Sequence, residues 1–126
     1  MVVDTSVLLS ILFKEQHGFW AQSQLKKYRD KLQMSTVNLA EVLILLQDRQ
    51  PQIFEQLKKK IFQMPIQFVP PTTAQAETSA WARLKFPALN LGDCFVYALA
   101  KELSCPILTL DSDFKKSDIE VVYPEI

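Results

Sequence analysis

The chain has 126 residues, 48% of them hydrophobic, which is enough for one domain spanning 1–126 with its own core and too few for two ordinary domains. Lysine plus arginine total 14 and aspartate plus glutamate total 14, so bulk charge carries no nucleic-acid signature, although a bound divalent cation can supply positive charge locally. Two cysteines, Cys94 and Cys105, without a CxxC pair or matching histidines, exclude a disulfide framework and a zinc knuckle.

Strand-like and helix-like stretches alternate along the whole chain. Met1–Asp4 reads as a short apolar strand, followed by a helical stretch from Thr5 to about Phe13. Gly18 marks a break or sharp bend, and Phe19–Lys31 has helical composition. Leu32–Ser35 is a second strand, and Val37–Arg49 a helix stopped by Pro51. Pro51–Gln63 suits another helix, with proline tolerated in its first turn. Ile66–Val69 is a strand ended by Pro70 and Pro71. Thr72–Lys85 and Leu91–Leu103 are helices, and Pro106–Leu110 and Glu120–Tyr123 are strands. Strands separated by helices pair in parallel through right-handed crossovers, which predicts a three-layer α/β/α sandwich with a short parallel sheet of four to five strands. No apolar run reaches the ~18 residues of a membrane span, and no signal-peptide pattern is present. Met1 runs directly into a core strand, so the mature protein is expected to begin there, in the cytoplasm.

The informative residues are four acids in apolar company. Asp4 ends the first strand and opens a helix; it suits an N-cap, and it also lies at the carboxyl end of a strand, where open α/β sheets bind ligands. Glu41 shares its helix face with Val37, Ile44 and Leu45. Asn38-Leu-Ala-Glu41 fits a capping box, yet a carboxylate aimed towards a core needs a partner, and no lysine or arginine precedes it within a turn. Asp93 repeats the pattern in Asn90-Leu-Gly-Asp93, on a helix apolar over most of its girth; the helix dipole alone can account for an acid there. Asp111 follows a buried-looking strand, and Asp113 follows two residues later. Asp-Ser-Asp is also good turn chemistry, and the pattern leaves open which of the two points into a site.

Taken together, two strand-end acids and two helix-face acids converge on one end of the sheet. Four carboxylates without a cation among them repel, so protons or a metal must hold them together. Oxygen ligands without histidine or cysteine select Mg²⁺ or Mn²⁺, ions that assist phosphodiester hydrolysis. The single histidine, His17, falls outside these motifs and reads as a surface or interface residue.

Val-Val-Asp4-Thr-Ser6, Leu-Ala-Glu41, Leu-Gly-Asp93 and Ile-Leu-Thr-Leu-Asp111-Ser-Asp113-Phe closely resemble the PIN-domain family in order and spacing, over essentially the whole chain. The chain looks most like the VapC-type toxins of toxin–antitoxin pairs. The resemblance implies an endoribonuclease using Mg²⁺ or Mn²⁺, with Asp4, Glu41 and Asp93 at the family's acidic positions. It puts Asp111 at a less uniform fourth, with Asp113 sharing the role, and Ser6 orienting the site. It further implies a homodimer and an antitoxin protein laid across the site and a helical groove. Leu8, Leu9, Leu12, Phe13, Phe19 and Trp20 are candidates to line that groove, or else ordinary core residues.

Arg83, Lys85, Lys115 and Lys116 flank the acidic motifs and are the candidate RNA contacts; Lys58-Lys59-Lys60 and Lys26-Lys27 suit solvated helix faces. Two rival readings remain. Phosphoryl transfer through an aspartyl phosphate would need a second aspartate where Ser6 stands, or a receiver-type acidic pair and late-strand lysine, none of which is evident. A catalytically silent PIN-like binding or scaffold module is the other. With only Gly18 and Gly92, neither a GxGxxG turn nor a P-loop can be built.

Overall fold

A run of β-branched and apolar residues with no room for a long strand opens the chain, and the computed structural model, which describes residues 1–125, makes it the centre of the sheet. Five short strands, β1 (Val2–Val3), β2 (Gln33–Ser35), β3 (Gln67–Val69), β4 (Ile107–Leu108) and β5 (Val121–Val122), pair in parallel in the order β3-β2-β1-β4-β5. Six helices cover them: α1 (Thr5–Leu12), α2 (Gly18–Lys27), α3 (Thr36–Arg49), α4 (Phe54–Phe62), α5 (Thr73–Lys85) and α6 (Leu91–Leu103).

The period-2 alternation of the strands divides the interior into two cores. Val3, Met34 and Leu108 face one side, where they pack with Val7, Leu8 and Ile11 of α1, Leu25 of α2, Val42 and Leu46 of α3 and Ile61 of α4. Val2 and Ile107, one residue out of phase, face the other side against Ala82 of α5, Val96, Tyr97 and Leu99 of α6, and Phe114. This is the expected three-layer sandwich. β1 and β4 are buried on both faces, which is why they read as unbroken apolar runs.

Several expected boundaries shift, each for a local reason. The expected helix over Pro51–Gln63 begins as a 3₁₀ turn at Pro51–Ile53 and becomes α-helical only from Phe54. The expected break falls just ahead of Gly18, at residues 13–17 with Lys14 at φ 53°; Gly18 itself starts α2, where a Cβ would press on the Ser10 carbonyl. That helix ends at Lys27 rather than Lys31, and the turn beyond it carries Asp30 in the left-handed region at φ 74°. β4 stops at Leu108 instead of Leu110: Thr109 N–H still donates to the Val122 carbonyl at 3.1 Å, but the donors beyond it go to side chains, Leu110 N–H to Ser6 Oγ at 3.0 Å and Asp111 N–H to Thr109 Oγ1 at 2.9 Å. In α3 the N-cap is Ser35, accepting from Val37 N–H, so Asn38-Leu-Ala-Glu41 is not a capping box.

The expected groove also changes. Leu8 and Leu12 are core residues, and Leu9, Phe13 and Trp20 are partly buried against that core. Only Phe19 stands free, at 87% exposure. Among the described residues, no helix is long and apolar enough to cross a membrane.

Candidate active site

The strand order reverses direction at β1: the chain steps outwards through β2 and β3 on one side, then returns to add β4 and β5 on the other. The crevice beyond the carboxyl ends of β1 and β4 is therefore the topological switch point, where open parallel sheets bind ligands. Asp4 follows β1 and Asp111 follows β4, so both strand-end acids stand at this crevice.

Asp4 is 4% exposed and occupies the N-cap position of α1, yet its side chain makes no capping bond. Instead two hydroxyls converge on its Oδ2: Ser6 Oγ donates at 2.7 Å and Thr109 Oγ1 at 2.8 Å. Burial pushes its pKa above the ordinary 3.8, and the charge of Asp111 adds to that, against the lowering pull of the two hydroxyls. Ser6, the expected orienting residue, thus lies hydrogen-bonded to Asp4. Thr109, fully buried just beyond β4 and unmarked by any sequence pattern, does as much.

Asp93 enters from the other side on the first turn of α6. Here the capping-box reading holds: Asp93 N–H donates to Asn90 Oδ1 at 2.9 Å and Asn90 N–H donates to Asp93 Oδ2 at 3.1 Å. The ligand-site reading is not displaced by it. Burial raises the Asp93 pKa to about 7, with the charges of Asp4, Asp111 and Glu41 all pushing in the same direction against the Asn90 backbone bond. One carboxylate thus caps its helix and sits in the field of the other three.

Glu41 lies on the half-buried face of α3. Its Oε1 accepts from Thr5 Oγ1 at 3.1 Å and from Asn38 Nδ2 at 2.9 Å. The carboxylate lies over Gly92, where an added methyl group would collide with both of its oxygens. Gly92 thus leaves the room in which this carboxylate lies, without an unusual backbone angle.

Of the two late aspartates, Asp111 is the one whose charge acts on Asp4 and Asp93; its Oδ1 also accepts from Asp113 N–H at 2.9 Å to cap the 3₁₀ turn Ser112–Lys116. Asp113 turns outwards to pair with Lys116 at 3.3 Å. Among the described residues, none of Asp4, Glu41, Asp93 or Asp111 is in a salt bridge. The basic candidates lie at the periphery. Arg83 and Lys85 are exposed on α5, and Lys115 lies 4.0 Å from the centre of the Tyr123 ring. His17 is half-buried, just ahead of α2 and away from the acids.

The donors are all oxygens, without histidine or cysteine, and they gather uncompensated negative charge in a partly dry crevice. That combination fits a hard divalent cation. Among the described residues, no three acids already converge as a finished coordination shell. The acids surround the crevice without closing on it.

Fold and site define an α/β protein with a carboxylate crevice at the switch point of a parallel sheet. The chain belongs to the PIN-domain family, whose model matches residues 1–120. Ribonuclease VapC36 of Mycobacterium tuberculosis is 31% identical over 131 residues, covering 95% of this chain and 91% of the relative. Ribonuclease VapC42 of the same species is 31% identical over 127 residues, covering 94% and 96%. Among solved structures, Mycobacterium tuberculosis VapC20, described as a sarcin–ricin loop cleaving toxin, superposes with a TM-score of 0.79 at 14% identity, covering 94% of this chain and 95% of that one. A toxin–antitoxin complex from Klebsiella pneumoniae gives 0.76 at 20% identity, covering 96% and 94%.

Proposed function

We propose that this PIN domain is a divalent-cation-dependent endoribonuclease, the toxin of a toxin–antitoxin pair, acting on cytoplasmic RNA. The observation that carries the reading is the set of four acids, Asp4, Glu41, Asp93 and Asp111. They lie at the switch point without a basic partner, and their mutual repulsion helps hold Asp93 at a pKa of about 7. The relatives named as ribonucleases support the choice of RNA as substrate.

Asp4, Glu41, Asp93 and Asp111 would hold Mg²⁺ or Mn²⁺, with Asp113 at the margin. When bound, such a cation offsets charge developing on the scissile phosphate and activates water for attack. The chain's own part is orientation. Ser6 and Thr109 fix the Asp4 carboxylate through Oδ2, Thr5 and Asn38 fix Glu41 through Oε1, and the capping box fixes Asp93. Arg83, Lys85, Lys115 and Lys116 meet the RNA backbone. Charge reversal there weakens RNA binding and flattens its salt dependence; unchanged binding would remove them from the interface. The exposed Phe19, beside a pocket it shares with Lys14, Glu15, Gln22 and Lys60, is where an antitoxin segment docks. A homodimer completes the proposal.

The test is cleavage of a mixed RNA ladder in Mg²⁺ or Mn²⁺, against EDTA and against Asp4→Asn. Cleavage lost in both controls is the expected result. If wild type neither cleaves nor binds Mn²⁺, the catalytically silent scaffold reading replaces this one.

A further inference from the structure

Asn38 is 1% exposed on α3, and its side chain spends both amide hydrogens on the site. Nδ2 donates to Glu41 Oε1 at 2.9 Å and to the Gly92 carbonyl at 3.0 Å. Its own Oδ1 is buried without a hydrogen-bond partner. The orientation is fixed by chemistry, because reversing the amide would set its oxygen against a carboxylate and a carbonyl. A buried acceptor left unpaired costs stability, and an apolar residue of the same size would escape that cost. The Gly92 carbonyl lies within α6, where the helix itself supplies a donor, so it does not depend on Asn38. What Asn38 adds is a bridge between the helix that carries Glu41 and the residue next to Asp93.

We propose that Asn38 is a positioning residue that locks the Glu41 carboxylate onto Gly92 and so fixes the separation of Glu41 from Asp93. The bare Cα of Gly92 supplies the space in which that carboxylate rests. Thr5 gives Glu41 Oε1 a second donor from α1, so α1 and α3 meet at one oxygen, with Gly92 of α6 packed against the same carboxylate. Both donors use Oε1, which leaves Oε2 to face a ligand. The proposal rests on the nuclease reading for its consequence, though not for its geometry.

Asn38→Leu and Asn38→Ala separate this role from simple support of the fold. The thermal midpoint of Asn38→Leu should equal or exceed that of the wild type, because the unpaired oxygen is gone. Mn²⁺ affinity, measured by electron paramagnetic resonance, should fall roughly ten-fold or more in both variants, the usual effect of removing a group that orients a ligand. The kcat for RNA should fall while KM changes less than two-fold. A crystal structure of metal-free Asn38→Leu should show the Glu41 carboxylate displaced from Gly92. If the variants fold, keep Glu41 in place and bind Mn²⁺ as tightly as the wild type, the proposal is wrong. If the wild type itself binds no Mn²⁺, the nuclease reading fails, and the position of Glu41 in the Asn38→Leu crystal still decides the proposal. Gly92→Ala gives an independent check: the added methyl should displace Glu41 with the Asn38 amide intact, reproducing the loss of Mn²⁺ affinity.

Discussion

Hydroxyls decide how the buried acid at the centre of the site is held. Thr109 donates to Asp4 Oδ2 and accepts from Asp111 N–H, so one fully buried oxygen serves the acids at the ends of two neighbouring strands. Thr109→Val keeps the shape and removes both bonds, leaving Asp4 with the Ser6 hydroxyl alone on that oxygen. The expected loss of stability is about 1–3 kcal/mol, the cost of unpairing buried polar groups. Urea unfolding of metal-free protein measures it; an unchanged midpoint would mean that the two acids do not need this bridge. Ser6→Ala is the milder companion, because Ser6 is half-buried and water can replace it. The four acids were legible because each interrupts an apolar pattern. Thr109 and Asn38 were not, since threonine is an ordinary strand residue and Asn38 passed for half of a capping box. A side chain whose role is to hold another side chain leaves no mark on periodicity.

At the scale of elements, α6 carries its candidate site acid, Asp93, on the turn that starts the helix. Asn90→Ala removes the acceptor for Asp93 N–H, which costs about 1 kcal/mol through the lost cap. It also loosens the backbone that presents Asp93. Thermal melts read the first effect and Mn²⁺ titration the second, and a variant that melts earlier yet binds Mn²⁺ normally would confine Asn90 to the helix. The middle and last turn of the same helix are tied down by Tyr97, whose hydroxyl donates to Asp118 Oδ1 at 2.7 Å, and Lys101, which donates to Oδ2 at 2.9 Å. That pair joins α6 to the segment following Asp111 and Asp113. The order and type of the elements could be read from the sequence, most clearly at β1 and β4, which are buried on both faces and so are unbroken apolar runs. Their exact ends could not, since the Leu110 N–H at the end of β4 is taken by Ser6 Oγ, a contact made across the sheet rather than along the chain.

For the whole molecule, the site sets fold stability against function, and pH exposes the conflict. In the folded chain Asp93 keeps its proton up to about pH 7, whereas in the unfolded chain it ionises near the ordinary value of 3.8. The folded state binds the extra proton over that window, so the stability this group contributes is complete below about pH 4 and is lost as pH rises through 7. Asp4, also shifted upwards by burial, acts in the same sense. Asp118 opposes them: Lys101 and Tyr97 hold its pKa down, giving stability that is lost on acidification, but it is exposed and its weight is small. Metal-free protein is therefore expected to have a higher thermal midpoint at pH 5 than at pH 8. Millimolar Mn²⁺ should reverse the order by binding the ionised acids of the folded state alone. Asp93→Asn should raise the midpoint at pH 8 without metal, flatten its pH dependence and abolish the response to Mn²⁺, because the amide can still accept from Asn90 N–H without bringing a charge. A wild-type midpoint that climbs from pH 5 to pH 8 in EDTA would show that the acids are not strained by one another. It would also remove the electrostatic argument for a cation between them.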